Sequence, residues 1–119
     1  MNKITVDNNE FYIYEVNLTI QTDIFIEHKA WLIEHFHEMT KNNNFVKLNV
    51  FVDVNMNPLS DDHFRYQKIT AQYFVRDMQN IEAYLEQQSK NMRSQVFEKL
   101  GNASTISRRV LRAIDIYQP

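Results

Sequence analysis

Cysteine is absent from the 119-residue chain. That excludes a disulfide framework, a thiolate nucleophile and a cysteine-held zinc, so any metal would depend on histidine and carboxylate ligands. A charge imbalance is lacking too, with 13 Lys and Arg against 15 Asp and Glu and a formal net charge of -2. Without a polybasic or acidic tail, neither bulk nucleic-acid binding nor membrane attachment is expected. No stretch approaches the roughly 20 apolar residues of a membrane span, and the start, MNKITVDNNE, has no apolar run of the signal-peptide kind. The expected setting is cytoplasmic and soluble. Repeats, low-complexity tracts and linkers are missing beyond that start, so the chain divides into a polar segment 1–10 and one domain over residues 11–119.

What is present is a succession of periodic segments. Residues 11–20, FYIYEVNLTI, are rich in aromatic and β-branched side chains and read as a strand. Tyr12, Tyr14, Val16, Leu18 and Ile20 form its apolar parity, against Glu15, Asn17 and Thr19. Thr22 or Asp23 offers an N-cap for a helix whose apolar stripe passes through Ile24, Trp31, Leu32, Phe36 and Met39. That helix ends near Lys41, where the NNN run at 42–44 tolerates the left-handed conformation. FVKLNVFVDV at 45–54 alternates strictly, with Val46, Leu48, Val50, Val52 and Val54 on one face and Lys47, Asn49 and Asp53 on the other. NMNPLSDD at 55–62 is a loop by composition, and FRYQKITAQYFV at 64–75 is a third strand, so the two strands form an antiparallel hairpin. Asp77 can cap a second helix in which Met78, Ile81, Leu85, Met92, Val96 and Leu100 recur at three- and four-residue steps. It stops at Gly101, the only glycine in the chain, as a helix C-terminus requires. ASTISRRVLRAIDIY at 103–117, with Ile106, Val110, Ile114 and Ile116 on one parity, is a fourth strand.

Strand, helix, strand, strand, helix, strand is the ferredoxin-like βαββαβ order of an α+β fold. A four-stranded antiparallel sheet would carry two helices on one face and leave the other open. On the assigned parity that open face presents Phe11, Ile13, Glu15, Asn17 and Thr19, then Lys47, Asn49, Phe51 and Asp53. The third strand adds Phe64, Tyr66, Lys68, Thr70, Gln72 and Phe74, and the last adds Ser107, Arg109, Leu111, Ala113 and Asp115. The mixture is too apolar for a face that meets only water and too polar for a dry core. A homodimer closed through this face is the expected partner arrangement.

YEVNLTI, a Trp-containing helix with EH near its end, and IEAYLEQQSKNMRSQVFEKLG running into SRRVLRAID together resemble small bacterial proteins of a domain-of-unknown-function family in the dimeric α/β-barrel superfamily. The likeness spans about residues 12–115 and consists of patterns of size and polarity, not catalytic signatures. It implies that two ferredoxin-like sheets pair into a barrel. It also implies kinship with cofactor-independent monooxygenases, haem-degrading enzymes, muconolactone isomerases and stress-responsive proteins, while the family itself carries no assigned reaction. VDVNMNPLSDDHFRYQ departs from the shorter acidic connection usual there, which puts in question where His63 stands relative to a shared pocket.

Three of the four histidines fall within EHKAWLIEHFHEM at 27–39. His28 and His35 are two turns apart, roughly 10 Å along the axis, and His37 points to nearly the opposite side from His35. The helix alone therefore holds no metal, since chelating neighbours stand three or four residues apart. His28 and His35 do share the buried stripe with Trp31, Leu32 and Phe36. They read either as core residues bonded to backbone or, for His35, as a general acid/base in a pocket between helix and sheet. His37, beside Glu34 and Glu38, reads as a surface residue. Haem on His35 would need a second marker that the chain lacks, and no cofactor is expected. IYEVNL imitates an RNA-recognition strand motif, but its parity would expose Tyr14 and bury Glu15 without a partner. Arg108 and Arg112 alternate away from Arg109 and read as salt-bridging groups. Arg93, in the polar QQSKNMRSQ run, could meet an acidic ligand.

Two functions of different class stay open. One is a homodimeric domain with a small-molecule pocket between helices and sheet, Asn17, Tyr66, Lys68 and Arg109 being polar groups of the dimer face. The other is a cofactor-independent, monooxygenase- or isomerase-like enzyme acting on a small aromatic or acidic molecule. In it His35 is the acid/base, Trp31 and Phe36 are walls, and Asn17 or Tyr66 orients a carbonyl; Arg109 completes the candidate ligand-binding set.

Overall fold

The first strand pairs along its backbone with a neighbour on each side, and that places it in the middle of the sheet. The computed structural model describes residues 11–41, 45–54, 65–101, 104–115 and 117–119. Along it run β1 (Tyr12–Gln21), α1 (Thr22–Glu38), β2 (Lys47–Val52), β3 (Tyr66–Val75), α2 (Met78–Gln87), α3 (Ser89–Leu100) and β4 (Ser104–Arg112). The polar segment 1–10, the asparagine run at 42–44, the loop with His63 and Phe64, and Ile116 lie outside the described residues.

The four strands form one antiparallel sheet in the order β2-β3-β1-β4, the ferredoxin-like arrangement. β1 runs against β3 with Glu15 opposite Gln72 and Leu18 opposite Ile69. It also runs against β4 with Glu15 opposite Arg109 and Leu18 opposite Ile106. β2 and β3 pair as the hairpin pattern predicts, Val50 facing Ala71.

Because side chains alternate across a strand, the even residues of β1 and the odd residues of β3 reach the same side. Tyr14, Val16, Leu18, Ile20, Ile69, Ala71, Tyr73 and Val75 are buried there, with Leu32 and Phe36 of α1, Ile81 and Tyr84 of α2, and Val96 and Leu100 of α3. Each such aliphatic or aromatic side chain, fully buried, contributes roughly 1.5–3 kcal/mol. Tyrosines supply much of this core. Tyr14 packs on Tyr73 and Tyr84 at ring separations of 6.1 and 5.5 Å, and Phe45 joins Tyr73 and Tyr84 at 5.3 and 5.8 Å. The Tyr73 hydroxyl is 3.1 Å from both the Phe36 carbonyl and the Met39 sulfur, so it satisfies the C-terminal end of α1 from below.

The predicted single second helix is two. At Gln88 the backbone leaves helical geometry, with φ -126° and ψ -27°, although the Gln88 amide still reaches the Tyr84 carbonyl at 2.8 Å. Ile81 and Tyr84 bury in α2 and Val96 and Leu100 bury in α3, whereas Leu85, expected on the stripe, is 38% exposed. The break falls in the polar QQSKN run between the two buried sets. Asp77 caps α2 as predicted, its carboxylate accepting from the Gln79 amide at 2.9 Å. At α1 neither expected cap holds: the cap position is Gln21, without a side-chain bond, and Asp23 accepts instead from the neighbouring Ile24 amide at 2.9 Å. β2 and β4 are shorter than their alternating patterns. Val46, Val52, Val54, Val110 and Ile114, read as core-facing, are exposed, because β2 and β4 are sheet edges that the helices do not cover throughout.

Candidate functional site

His35 emerges from α1 on the side that faces the sheet, and it is 6% exposed. Its ring stacks on Trp31 one turn earlier, with centroids 4.9 Å apart and planes at 18°, and stands 6.5 Å from Phe36. On Trp31 lies in addition the Lys99 ammonium of α3, 5.8 Å from the ring centre. No hydrogen bond joins either His35 ring nitrogen to another described residue. An unsatisfied buried polar group costs about 1–3 kcal/mol and calls for an explanation. Burial also pushes its pKa below the ordinary imidazole range, with the nearby Glu38 charge opposing in part. Near neutral pH the ring is therefore neutral, with its lone pair and its N–H unpartnered among the described residues.

His35 faces a cavity of about 30 Å³ between the helices and the sheet. Tyr14, Val16 and Leu18 form its floor, Leu32, Phe36 and Met39 its α1 wall, and Met92, Arg93 and Val96 of α3 its roof, with Ile106 and Arg108 of β4 at the side. A volume of this size takes a water molecule or little more. The Arg108 guanidinium donates to the Tyr14 hydroxyl at 3.4 Å. Burial raises the Tyr14 pKa, and the positive charges of Arg108 and Arg93 hold it back. The Tyr84 hydroxyl is raised more strongly, again by burial. The site thus combines an apolar chamber, a neutral imidazole and phenol groups under a positive field.

The sequence-derived candidates divide between the two faces of the sheet. His35 and Phe36 line the cavity, and Trp31 stands behind His35 as its stacking partner. Asn17, Tyr66 and Arg109 stand on the open face, with the thickness of the sheet between them and His35. There Asn17 and Arg109 serve Glu15, which is 4% exposed. Arg109 donates to it at 2.7 Å, Asn17 at 3.0 Å and Gln72 at 3.0 Å, and Thr70 donates in turn to Asn17 at 2.8 Å. Hydrogen bonds from Asn17 first, then from Gln72 and Arg109, hold the Glu15 carboxyl below the usual carboxylate range against the opposing effect of burial. Tyr66 lies at the end of β3 opposite Gln21, 38% exposed. His28 is half-buried, 3.9 Å from Glu27, and His37 is exposed. Among the described residues no three His, Asp or Glu side chains converge as a metal site, and no helix is long and apolar enough to cross a membrane.

Sequence reasoning missed Tyr84, Met92 and Arg108 as lining residues. Tyr84 lies three residues past Ile81, on the apolar stripe, and that spacing was the available signal. Arg108 has the parity of Ile106, the cavity side, but a charged residue on a core parity reads first as a surface group at a sheet edge.

A family model for a domain of unknown function, DUF4286, matches residues 11–114. The chain belongs to this family. No curated protein matches it. Among solved structures it is similar to a dimeric ferredoxin-like protein from an uncultured marine organism, with TM-score 0.60 and 9% identity over 91% of this chain and 100% of that one. It is likewise similar to a dimeric protein of unknown function and ferredoxin-like fold from Bacteroides fragilis, with TM-score 0.51 and 15% identity over 87% and 96%. A variant of SnoaB, a cofactor-independent oxygenase from Streptomyces nogalater, aligns with TM-score 0.59 and 12% identity over 90% and 96%. At these identities the likenesses establish the fold, which for this DUF4286 member is the ferredoxin-like sheet described above.

Proposed function

We propose that this DUF4286 chain works in the cytoplasm as a homodimer that binds a small molecule between its helices and its sheet, the two copies meeting through their open sheet faces. The observation that carries the pocket is His35, buried on a cavity wall with both ring nitrogens unpartnered among the described residues. A ligand polar at one point and apolar elsewhere would satisfy it. The dimer is supported by the half-buried Phe11, Ile13, Phe74 and Leu111 of the open face, by the half-exposed Phe51, and by neighbours described as dimeric.

A second reading, a cofactor-independent oxygenase- or isomerase-like enzyme for a small aromatic or acidic molecule, is favoured by one specific feature. The neutral His35 imidazole has the protonation state of a general base, and one structural neighbour is described as a cofactor-independent oxygenase. Here Phe36 is a wall, Trp31 fixes the ring plane of His35, and Tyr14 with Arg108 stands where a carbonyl would be polarised. Asn17, Tyr66 and Arg109 serve the dimer face.

Native mass spectrometry of the protein purified from its own host tests both halves of the proposal. A dimer with a retained small mass is the expected result, and chemical conversion of that molecule by the wild type but not by His35→Ala would select the enzyme. An empty dimer would remove the pocket; a monomer would remove the open-face association.

A further inference from the structure

The cavity has a chemical polarity that a merely apolar pocket lacks. Two guanidinium groups border it from different elements, Arg93 on α3 and Arg108 on β4, and both side chains are exposed. Neither makes an ion pair with a carboxylate among the described residues, whereas the adjacent Arg109 is committed to Glu15 on the other face. Among the described residues Arg108 has only its long 3.4 Å contact with Tyr14, and both arginines act on that hydroxyl through their charge. Inward from this positive rim the lining is aliphatic and aromatic as far as His35. The mouth is therefore cationic and the interior apolar.

We infer that the cavity binds an amphiphile with one carboxylate, the anion held by Arg93 and Arg108 at the mouth and the apolar body lying under α3 toward His35. This rests on the ligand-binding reading and names its ligand class. Two planar guanidinium forks suit a carboxylate, because each can donate two parallel hydrogen bonds to it. The chamber must widen to admit the body, and the roof is the element built to yield. α3 is separated from α2 by the break at Gln88, Val96 and Leu100 are its buried anchors, and Met92 faces the cavity with a side chain that repacks at small cost. Tyr14 then donates to the anion in place of accepting from Arg108.

Titration of the full chain with sodium octanoate and, separately, 1-octanol tests this through the emission of Trp31, the only tryptophan, which stacks on His35. Octanoate is expected to change the emission saturably and to bind more tightly than octanol. The double variant Arg93→Gln/Arg108→Gln should weaken octanoate about ten-fold or more, as loss of charge-assisted bonds does, and should leave octanol unchanged. Both arginines being exposed, its melting temperature should stay near that of the wild type. Octanol matching octanoate, or octanoate affinity unchanged in the double variant, would overturn the anion site and leave the pocket standing. No response to either compound would overturn both.

Discussion

At position 15 a carboxylate lies on the open face of a sheet yet is almost wholly covered, by the side chains of its own face. Its two cross-strand neighbours, Gln72 and Arg109, close over it from β3 and β4, and Asn17 reaches back along β1. The Arg109 side chain is 63% exposed, so its charge is partly screened and the neutral donors matter as much. Because the folded-state pKa of Glu15 is lowered from 4.5, the folded chain holds fewer protons than the unfolded one in the acid range. The stabilisation is present above the unfolded value and is lost as pH falls through the folded one. His35 adds an earlier loss of the same sign. Its folded pKa is lowered from 6.5, so as pH falls below that value the unfolded chain takes up a proton that the folded chain does not. Urea unfolding from pH 7 to pH 3 should therefore show stability falling from near neutrality and again below about pH 4.5. Glu15→Gln should cost about 1–2 kcal/mol at pH 7 and flatten the second fall. An acid limb unchanged in the variant would remove Glu15 as its source.

Elements differ in how firmly they are anchored. α1 is held by Leu32, His35 and Phe36 and by the Tyr73 hydroxyl under its last turn. Among its described side chains α3 has buried anchors only toward its C-terminal half, at Val96 and Leu100, and Phe97 beside them is 60% exposed. The end of α3 depends on Gly101, whose φ of 63° and ψ of -146° lie in a region that side-chain-bearing residues avoid. A Cβ there would meet nothing within 4 Å, so the constraint is the backbone and not space. Gly101→Ala is expected to cost about 1–3 kcal/mol, measured by urea unfolding, and a loss below about 0.5 kcal/mol would show that the helix end relaxes into another conformation. The glycine stop was legible from its solitary placement. The Gln88 break was not, because Leu85 and Met92 extend the three-and-four spacing well enough to read as one helix. Only the folded backbone, with Ile81 and Tyr84 buried before Gln88 and Val96 and Leu100 after it, shows the change at that residue.

For the whole molecule the open face is the feature that a lone copy leaves unexplained. Its cross-strand rows alternate in character. Lys47, Phe74, Ile13 and Leu111 make one row, Asn49, Gln72, Glu15 and Arg109 the next, and Phe51, Thr70, Asn17 and Ser107 a third. Phe11 packs on Phe74 at 5.3 Å, and Lys47 covers that ring from 5.1 Å. Apolar rows beside a saturated polar row suit a surface that meets its own copy, where the aromatic groups pack and the polar groups set the alignment. Phe51, half exposed on the β2 edge of that face, would carry an unpaired charge into the contact as Phe51→Asp. Sedimentation should then show a monomer with a melting curve of ordinary cooperativity, and a persisting dimer would move the contact to another surface.

The sequence by itself determined the strand parities, the βαββαβ order, the face on which Glu15 and Asn17 stand, and the burial of His35 with Phe36. All of these follow from alternation and three-to-four spacing, which record which side of an element avoids water. Tertiary structure decided which candidates share a site. Parity already set Asn17, Tyr66 and Arg109 on the open face; the fold shows that Asn17 and Arg109 are occupied there by Glu15, with the sheet between them and His35. It also decided that Tyr84, Met92, Arg93 and Arg108 meet around His35. They come from three elements distant in sequence, and only packing both helical segments of the second half on the sheet brings them together.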